Sequence, residues 1–314
     1  MKVREVLATV SLVFPVVTLL SLAEISRADG DDIRPSVVKI HATQRSPDLV
    51  KPWTKAAPKE LSGTGFVIEG NRVLTNAHVV RHAATIYLQP YQSAEKVSAK
   101  VEYLASPVDL AILTVEDEDF FKDRPPLVMD ESLPSVKSKV NVYGYPVGGD
   151  ELSITEGIIS RVEYTRYFYD GWGLRIQIDA ALNPGNSGGP AVSNGKLVGI
   201  SFSGLNDAEN IGYLIPIVEV RMFLDDVKDG KYDGKPHLWD VWQTAENDAL
   251  RDWLKLPKDL GGCMVFSSHR PDDSPLKIGD VITKVGPHSL DRNGNVKEAR
   301  QRLAGPIPAI SCPN

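Results

Sequence analysis

From residue 35 to residue 215 apolar side chains return at every second position, and turn residues separate the runs. Leu174, Ile176, Ile178 and Ala180 alternate with Arg175, Gln177 and Asp179. Val38, Ile40 and Ala42 alternate with polar partners, Val140 and Val142 do the same, and Val198, Ile200 and Phe202 make a further apolar face. A period of two sets one side of a strand on a core. Many short strands with no long helical stretch between them predict a β-barrel or a β-sandwich.

The pattern changes after residue 215. Pro216 opens a helix, Val220, Phe223, Leu224 and Val227 recur at helical spacing, and Asp229-Gly230 stops it. The run Asp229-Gly230-Lys231-Tyr232-Asp233-Gly234-Lys235-Pro236 is rich in turn formers. It predicts a boundary, with one domain at 29–232 and a shorter segment at 233–314; a surface hairpin inside one domain is the alternative. The shorter segment is expected to hold a helix at 244–255 and a strand at Met264-Val265-Phe266.

Residues 1–28 differ in kind. Lys2 and Arg4 precede an apolar run from Val6 to Leu22, and Ser26-Arg27-Ala28 places small residues where a signal peptidase reads. This predicts a secretory signal peptide, with an uncleaved anchor as the alternative. The expected location is the periplasm or cell envelope, with no stable membrane span after cleavage. A net charge of −6 over 314 residues argues against a general nucleic-acid binder, which needs a basic surface. Cys263 and Cys312 are the only cysteines, and export leaves them either paired or as two thiols. No CxxC or HExxH spacing is present, and no metal or cofactor is expected. Asp291-Arg292-Asn293-Gly294-Asn295 begins like a calcium loop but has Val296 at the glycine position and Arg302 at that of the closing glutamate.

The chemistry starts at Asn183-Pro184-Gly185-Asn186-Ser187-Gly188-Gly189-Pro190. Glycines permit positive φ and let a substrate carbonyl approach the backbone. Such a turn can aim the N–H groups of Gly185 and Ser187, with Asn186 between them, at one developing oxyanion. A serine hydroxyl needs a base. His78 follows Val73-Leu74-Thr75-Asn76-Ala77, a strand ending in small residues, whereas His82 lacks that setting. The base needs an orienting carboxylate. Asp109 directly precedes Leu110-Ala111-Ile112-Leu113, where it must be partly buried and therefore partnered. Each residue alone has a structural explanation; the order His78, Asp109, Ser187, with separations of 31 and 78 residues, is that of the chymotrypsin arrangement.

Ser62-Gly63-Thr64-Gly65-Phe66-Val67-Ile68, Leu74-Thr75-Asn76-Ala77-His78-Val79-Val80, Asp109-Leu110-Ala111-Ile112-Leu113 and the Ser187 turn together resemble the Deg/HtrA family of serine proteases. Val142-Tyr143-Gly144-Tyr145-Pro146 and Glu209-Asn210-Ile211-Gly212-Tyr213-Leu214-Ile215-Pro216 fit as well, and lean toward the branch with plant organellar members. The resemblance covers about residues 35 to 225. It implies an all-β fold of two six-stranded antiparallel chymotrypsin-like barrels with the active site between them. It further implies ATP-independent cleavage of unfolded or misfolded polypeptides and trimer-based homo-oligomers.

By the chymotrypsin arrangement Ala181, six residues before the nucleophile, lies at the base of the primary pocket, and Ile200, Ser201 and Phe202 help to line it. An uncharged base implies small or medium aliphatic side chains rather than Lys or Arg. The aromatic stretch from Tyr164 to Trp172 occupies the place of a regulatory loop in the family, or else covers the barrel with its rings. Leu276-Lys277-Ile278-Gly279-Asp280-Val281-Ile282 is similar to a PDZ segment in which a loop leads into a strand. Pro306, Pro308 and Pro313 fall where the second helix of such a domain is expected, so the reading is an incomplete PDZ-like α+β segment. Leu238-Trp239-Asp240-Val241 would face a peptide carboxylate with an acid, so weak or no peptide binding is expected. The alternative function on the same fold is a latent or non-catalytic chaperone.

Overall fold

The computed structural model describes residues 32–167, 171–202, 211–235, 240–269 and 272–296. The expected signal peptide, Cys312 and the prolines near the C-terminus lie outside the described residues.

Two closed barrels of six strands carry the architecture. The first is made of β1 (Val37–Gln44), β2 (Lys59–Ile68), β3 (Arg72–Thr75), β4 (Ala83–Gln89), β5 (Val97–Ala105) and β6 (Leu110–Val115), in the order β1-β2-β3-β6-β5-β4. The second is made of β7 (Lys139–Gly144), β8 (Ser153–Arg166), β9 (Trp172–Ile178), β10 (Pro190–Ser193), β11 (Lys196–Phe202) and β12 (Gly212–Pro216). Its order, β7-β8-β9-β12-β11-β10, repeats the first topology, and the strand pairs are antiparallel. The two expected six-stranded antiparallel barrels are therefore present, and closure leaves neither sheet with an open edge.

Each barrel has its own interior, with Val38, Ile40, Val73 and Leu113 in the first and Val140, Ile159, Ile176 and Leu214 in the second. A third apolar cluster joins them. Phe66, Ile68, Leu74, Leu110 and Ile112 from the first barrel meet Ile200, Phe202, Tyr213 and Ile215 from the second. This explains why β6 begins as a continuous apolar run. Ala111 and Leu113 fill the first barrel, while Leu110 and Ile112 face the seam, so both sides of the strand are buried. Burying one such Leu or Ile contributes about 1.5–3 kcal/mol.

The chain leaves β12 through Pro216 into a helix, α2 (Ile217–Asp226), ahead of which a single-turn helix, α1 (Ala77–Val80), has already followed β3. Val220 and Phe223 of α2 pack on the seam, and a short 3-10 turn ends at Gly230 with φ 90°. A third helix, α3 (Asp248–Trp253), is shorter than the expected 244–255 because Asn247 caps it: the Asn247 side chain accepts the Leu250 N–H at 3.0 Å. Three short strands, β13 (Val241–Thr244), β14 (Cys263–Ser267) and β15 (Val281–Ile282), form a small sheet with Trp242, Cys263 and Val265 in its core. The Asp291 carboxylate accepts the N–H groups of Asn293 and Asn295, both at 2.9 Å, which makes this segment a tight turn.

Candidate active site

Asp109 sits where a 3-10 turn, Ser106–Val108, delivers the chain into β6. It adopts the left-handed conformation (φ 55°, ψ 42°) and is fully buried. Its main-chain carbonyl accepts the Asn76 Nδ2–H at 3.0 Å and the Ala77 N–H at 3.1 Å. Its carboxylate takes two bonds from one residue: Oδ1 accepts the His78 N–H at 2.8 Å, and Oδ2 lies 2.7 Å from His78 Nδ1. A buried carboxylate needs such partners. An ionised carboxylate only accepts, so the bond assigns the proton of a neutral imidazole to Nδ1 and leaves Nε2 as the basic nitrogen. The His78 side chain retains 30% exposure while that of Asp109 has none. His82, the rival histidine, lies past the end of α1 at a φ of 58° and is exposed.

Ser187 is buried to 4% exposure in the turn before β10. Every carbonyl from 184 to 187 is held. Pro184 O accepts the Val147 N–H at 2.8 Å, and Gly185 O accepts the Thr64 hydroxyl at 2.8 Å. Asn186 O accepts the Ser201 hydroxyl at 2.6 Å and the Gly189 N–H at 2.9 Å, and Ser187 O accepts the Thr64 N–H at 2.8 Å. Gly185 has a φ of 99°, and a Cβ there would lie 2.4 Å from Tyr145 O, so only glycine fits. The Asn186 N–H donates to Asn183 O at 3.0 Å and closes the turn. Asn186, expected in the oxyanion hole with Gly185 and Ser187, thus keeps its N–H inside the turn as the residue between those two.

Gly63 marks how near the histidine and serine elements come. A Cβ there would lie 2.6 Å from Val79 Cγ1 of α1 and 3.3 Å from Ser187 O. The motif around Ser62 was legible, but the work of Gly63, Thr64 and Asn76 in it was not, because each acts through contacts distant in sequence.

The expected pocket residues do not share one surface. Ala181 is exposed. Ile200 and Phe202 point into the seam between the barrels with 0% and 2% exposure, while Ser201, one residue out of phase, binds the Ser187 turn. Strand alternation prevents all three side chains from lining one pocket. The Arg175 guanidinium rests 4.7 Å from the Phe202 ring, 4.9 Å from Tyr213 and 5.0 Å from Tyr167, and burial pulls its pKa below the ordinary arginine value.

Of the aromatic stretch, Tyr164 stacks on Trp172 at 6.1 Å and Tyr167 on Phe202 at 5.7 Å; residues 168–170 lie outside the described residues. Burial pushes the Tyr167 hydroxyl pKa well up. A Cβ on Gly171 would lie 1.7 Å from Pro107 O, so this hairpin meets the turn that carries Asp109. Among the described residues no cluster of His, Cys, Asp and Glu is arranged to hold a metal ion.

Paired six-stranded barrels, with an imidazole–carboxylate pair on one and a glycine-framed serine on the other, define a trypsin-like serine protease domain. Residues 63–200 match the model of the trypsin-like peptidase domain. The chain is 41% identical over 258 residues to the mitochondrial protease Do-like 4 of Arabidopsis thaliana, which covers 79% of this chain and 50% of that protein. It is 40% identical over 150 residues to the putative chloroplastic protease Do-like 6 of the same plant, covering 48% of this chain and 68% of that one. The HtrA-type protease AlgW with a tripeptide shares the fold, with a TM-score of 0.65 and 21% identity over 86% of this chain and 85% of that one. The chain belongs to the Do-like (DegP/HtrA) family of serine proteases. It spans about half the length of Do-like 4 and Do-like 2, the first curated relatives it matches.

Proposed function

We propose that the chain is an exported serine endopeptidase that cleaves unfolded or damaged polypeptides through an acyl-enzyme. The observation that carries this reading is the double bond pattern between His78 and Asp109, at 2.8 Å through the main chain and 2.7 Å through the ring. It supports Nε2 as the base.

In this mechanism Ser187 Oγ attacks the substrate carbonyl carbon as His78 Nε2 takes its proton. Asp109 supports the imidazolium that results. The N–H groups of Gly185 and Ser187 stabilise the tetrahedral oxyanion, a contribution that mutational loss of one donor puts at roughly 100-fold to 1,000-fold in rate. His78 returns the proton to the leaving amine, the C–N bond breaks, and water repeats the sequence on the ester. No nucleotide or metal enters any step. The preference for small or medium aliphatic residues over Lys or Arg rests on the resemblance alone, which gives the base of the primary pocket to the uncharged Ala181. Trimer-based assembly accords with the family, and export rests on the character of residues 1–28.

The test is incubation with one protein in its native state and in a permanently unfolded state. The expected result is cleavage of the unfolded form, lost in Ser187→Ala, with product ends after aliphatic residues. Cleavage that persists in Ser187→Ala, or that follows Lys and Arg, would contradict the reading.

A further inference from the structure

A lysine on a strand of the first barrel is almost wholly buried. Lys39 of β1 has 8% side-chain exposure, and its ammonium group donates to Gly149 O at 2.9 Å and lies 2.6 Å from Asp150 Oδ1. Both partners belong to the turn between β7 and β8 of the second barrel. Desolvating an ammonium group is costly, and a carboxylate with 82% side-chain exposure returns little. Stability alone does not account for the residue.

Its neighbours do. In the ladder between β1 and β2, Lys39 stands directly opposite Thr64. The Thr64 oxygen accepts the Tyr145 N–H at 2.9 Å, and Lys39 binds Gly149 O, so the two residues grip both ends of the segment 145–149. The middle of that segment is Val147, whose N–H donates to Pro184 O at 2.8 Å. The Pro184–Gly185 peptide is trans. In a planar trans peptide the N–H points opposite to the C=O. Holding Pro184 O therefore fixes the direction of the Gly185 N–H, and rotation of this one peptide would turn that donor away.

We infer that Lys39 is a positioning residue for the oxyanion donor: it tethers the 145–149 segment so that the Val147 N–H holds the Pro184–Gly185 peptide in its donating orientation. This rests on the serine protease reading and adds to it a residue of the first barrel that, with Thr64, sets the hole. Lys39 touches neither the triad nor the cleaved bond. Its effect belongs to transition-state stabilisation and not to substrate binding.

The experiment is Lys39→Met in the full chain, with Asp150→Asn beside it. The readouts are peptide hydrolysis, the rate of labelling by a fluorophosphonate, whose phosphoryl oxygen occupies the same hole, and thermal unfolding. Methionine fills the space without a buried charge, so Tm is expected to hold or rise. For Lys39→Met, kcat and the labelling rate are expected to fall about 10-fold or more while KM stays within about 2-fold. The pH profile keeps its midpoint, since His78 is untouched. Asp150→Asn leaves the Gly149 bond in place and stays within about 2-fold of the parent. A Lys39→Met chain that labels at the parental rate, or whose loss appears only with a lower Tm or a raised KM, would overturn the assignment and leave the Ser187–His78 reading standing. A folded parent that neither labels nor cleaves would overturn that reading and this one with it.

Discussion

Thr64 donates its hydroxyl proton to Gly185 O at 2.8 Å and accepts the Tyr145 N–H on the same oxygen at 2.9 Å. One buried side chain of the first barrel thus joins two segments of the second beside the nucleophile. Thr64→Val keeps the shape and leaves both partners without a bond. The expected cost is about 1–3 kcal/mol of stability for the stranded groups, read from urea unfolding. A loss of kcat should accompany it at temperatures where the variant is folded. Full activity in a folded Thr64→Val chain would show that the turn is held without it.

Gly63 separates Val79 from the Ser187 carbonyl, and a Cβ there would lie 2.6 Å and 2.8 Å from the two Val79 methyl carbons. Gly63→Ala should overpack this contact at about 1–3 kcal/mol and lower activity by displacing α1, which carries His78. Adding Val79→Ala removes the methyl groups in conflict. Recovery of stability and activity in the double variant is the expected result, and simple additivity of the two losses would contradict it.

His41 of β1 lies within 2.9 Å of Gln89 Oε1 through its Nε2. Burial pulls its pKa below the ordinary value, Lys96 and Lys39 push the same way, and the Gln89 bond opposes them. Below a pH of about 6.5 the unfolded chain therefore binds more protons at this site than the folded one. The contribution of His41 to stability is complete above that value and declines as pH falls through it. His41→Gln should flatten the loss of stability between about pH 7 and about pH 5, read as the urea midpoint at each pH. An unchanged slope would show that other groups govern the acid limb.

Much of this was legible in the chain itself. Alternation over Leu174–Ala180 and the His78, Asp109, Ser187 order pointed to the barrels and to the pair that the structure brings within 2.7 Å. What escaped was set by the packing of one barrel on the other. Lys39 reads as an outward polar residue between Val38 and Ile40, yet its outward side is covered by the β7–β8 turn. Ile200 and Phe202 read as pocket walls but face the seam. In each case the local pattern was right about the strand or turn, and a partner more than ten residues away decided the role of the side chain.

The central claim is a working Ser187–His78 pair, and fluorophosphonate labelling tests it most directly, since the probe reacts only with an activated serine. The parent chain is expected to label at a single site, and Ser187→Ala and His78→Ala are expected to abolish labelling while circular dichroism shows each variant folded. Labelling that survives in either variant, or a folded parent that does not label, would contradict the account.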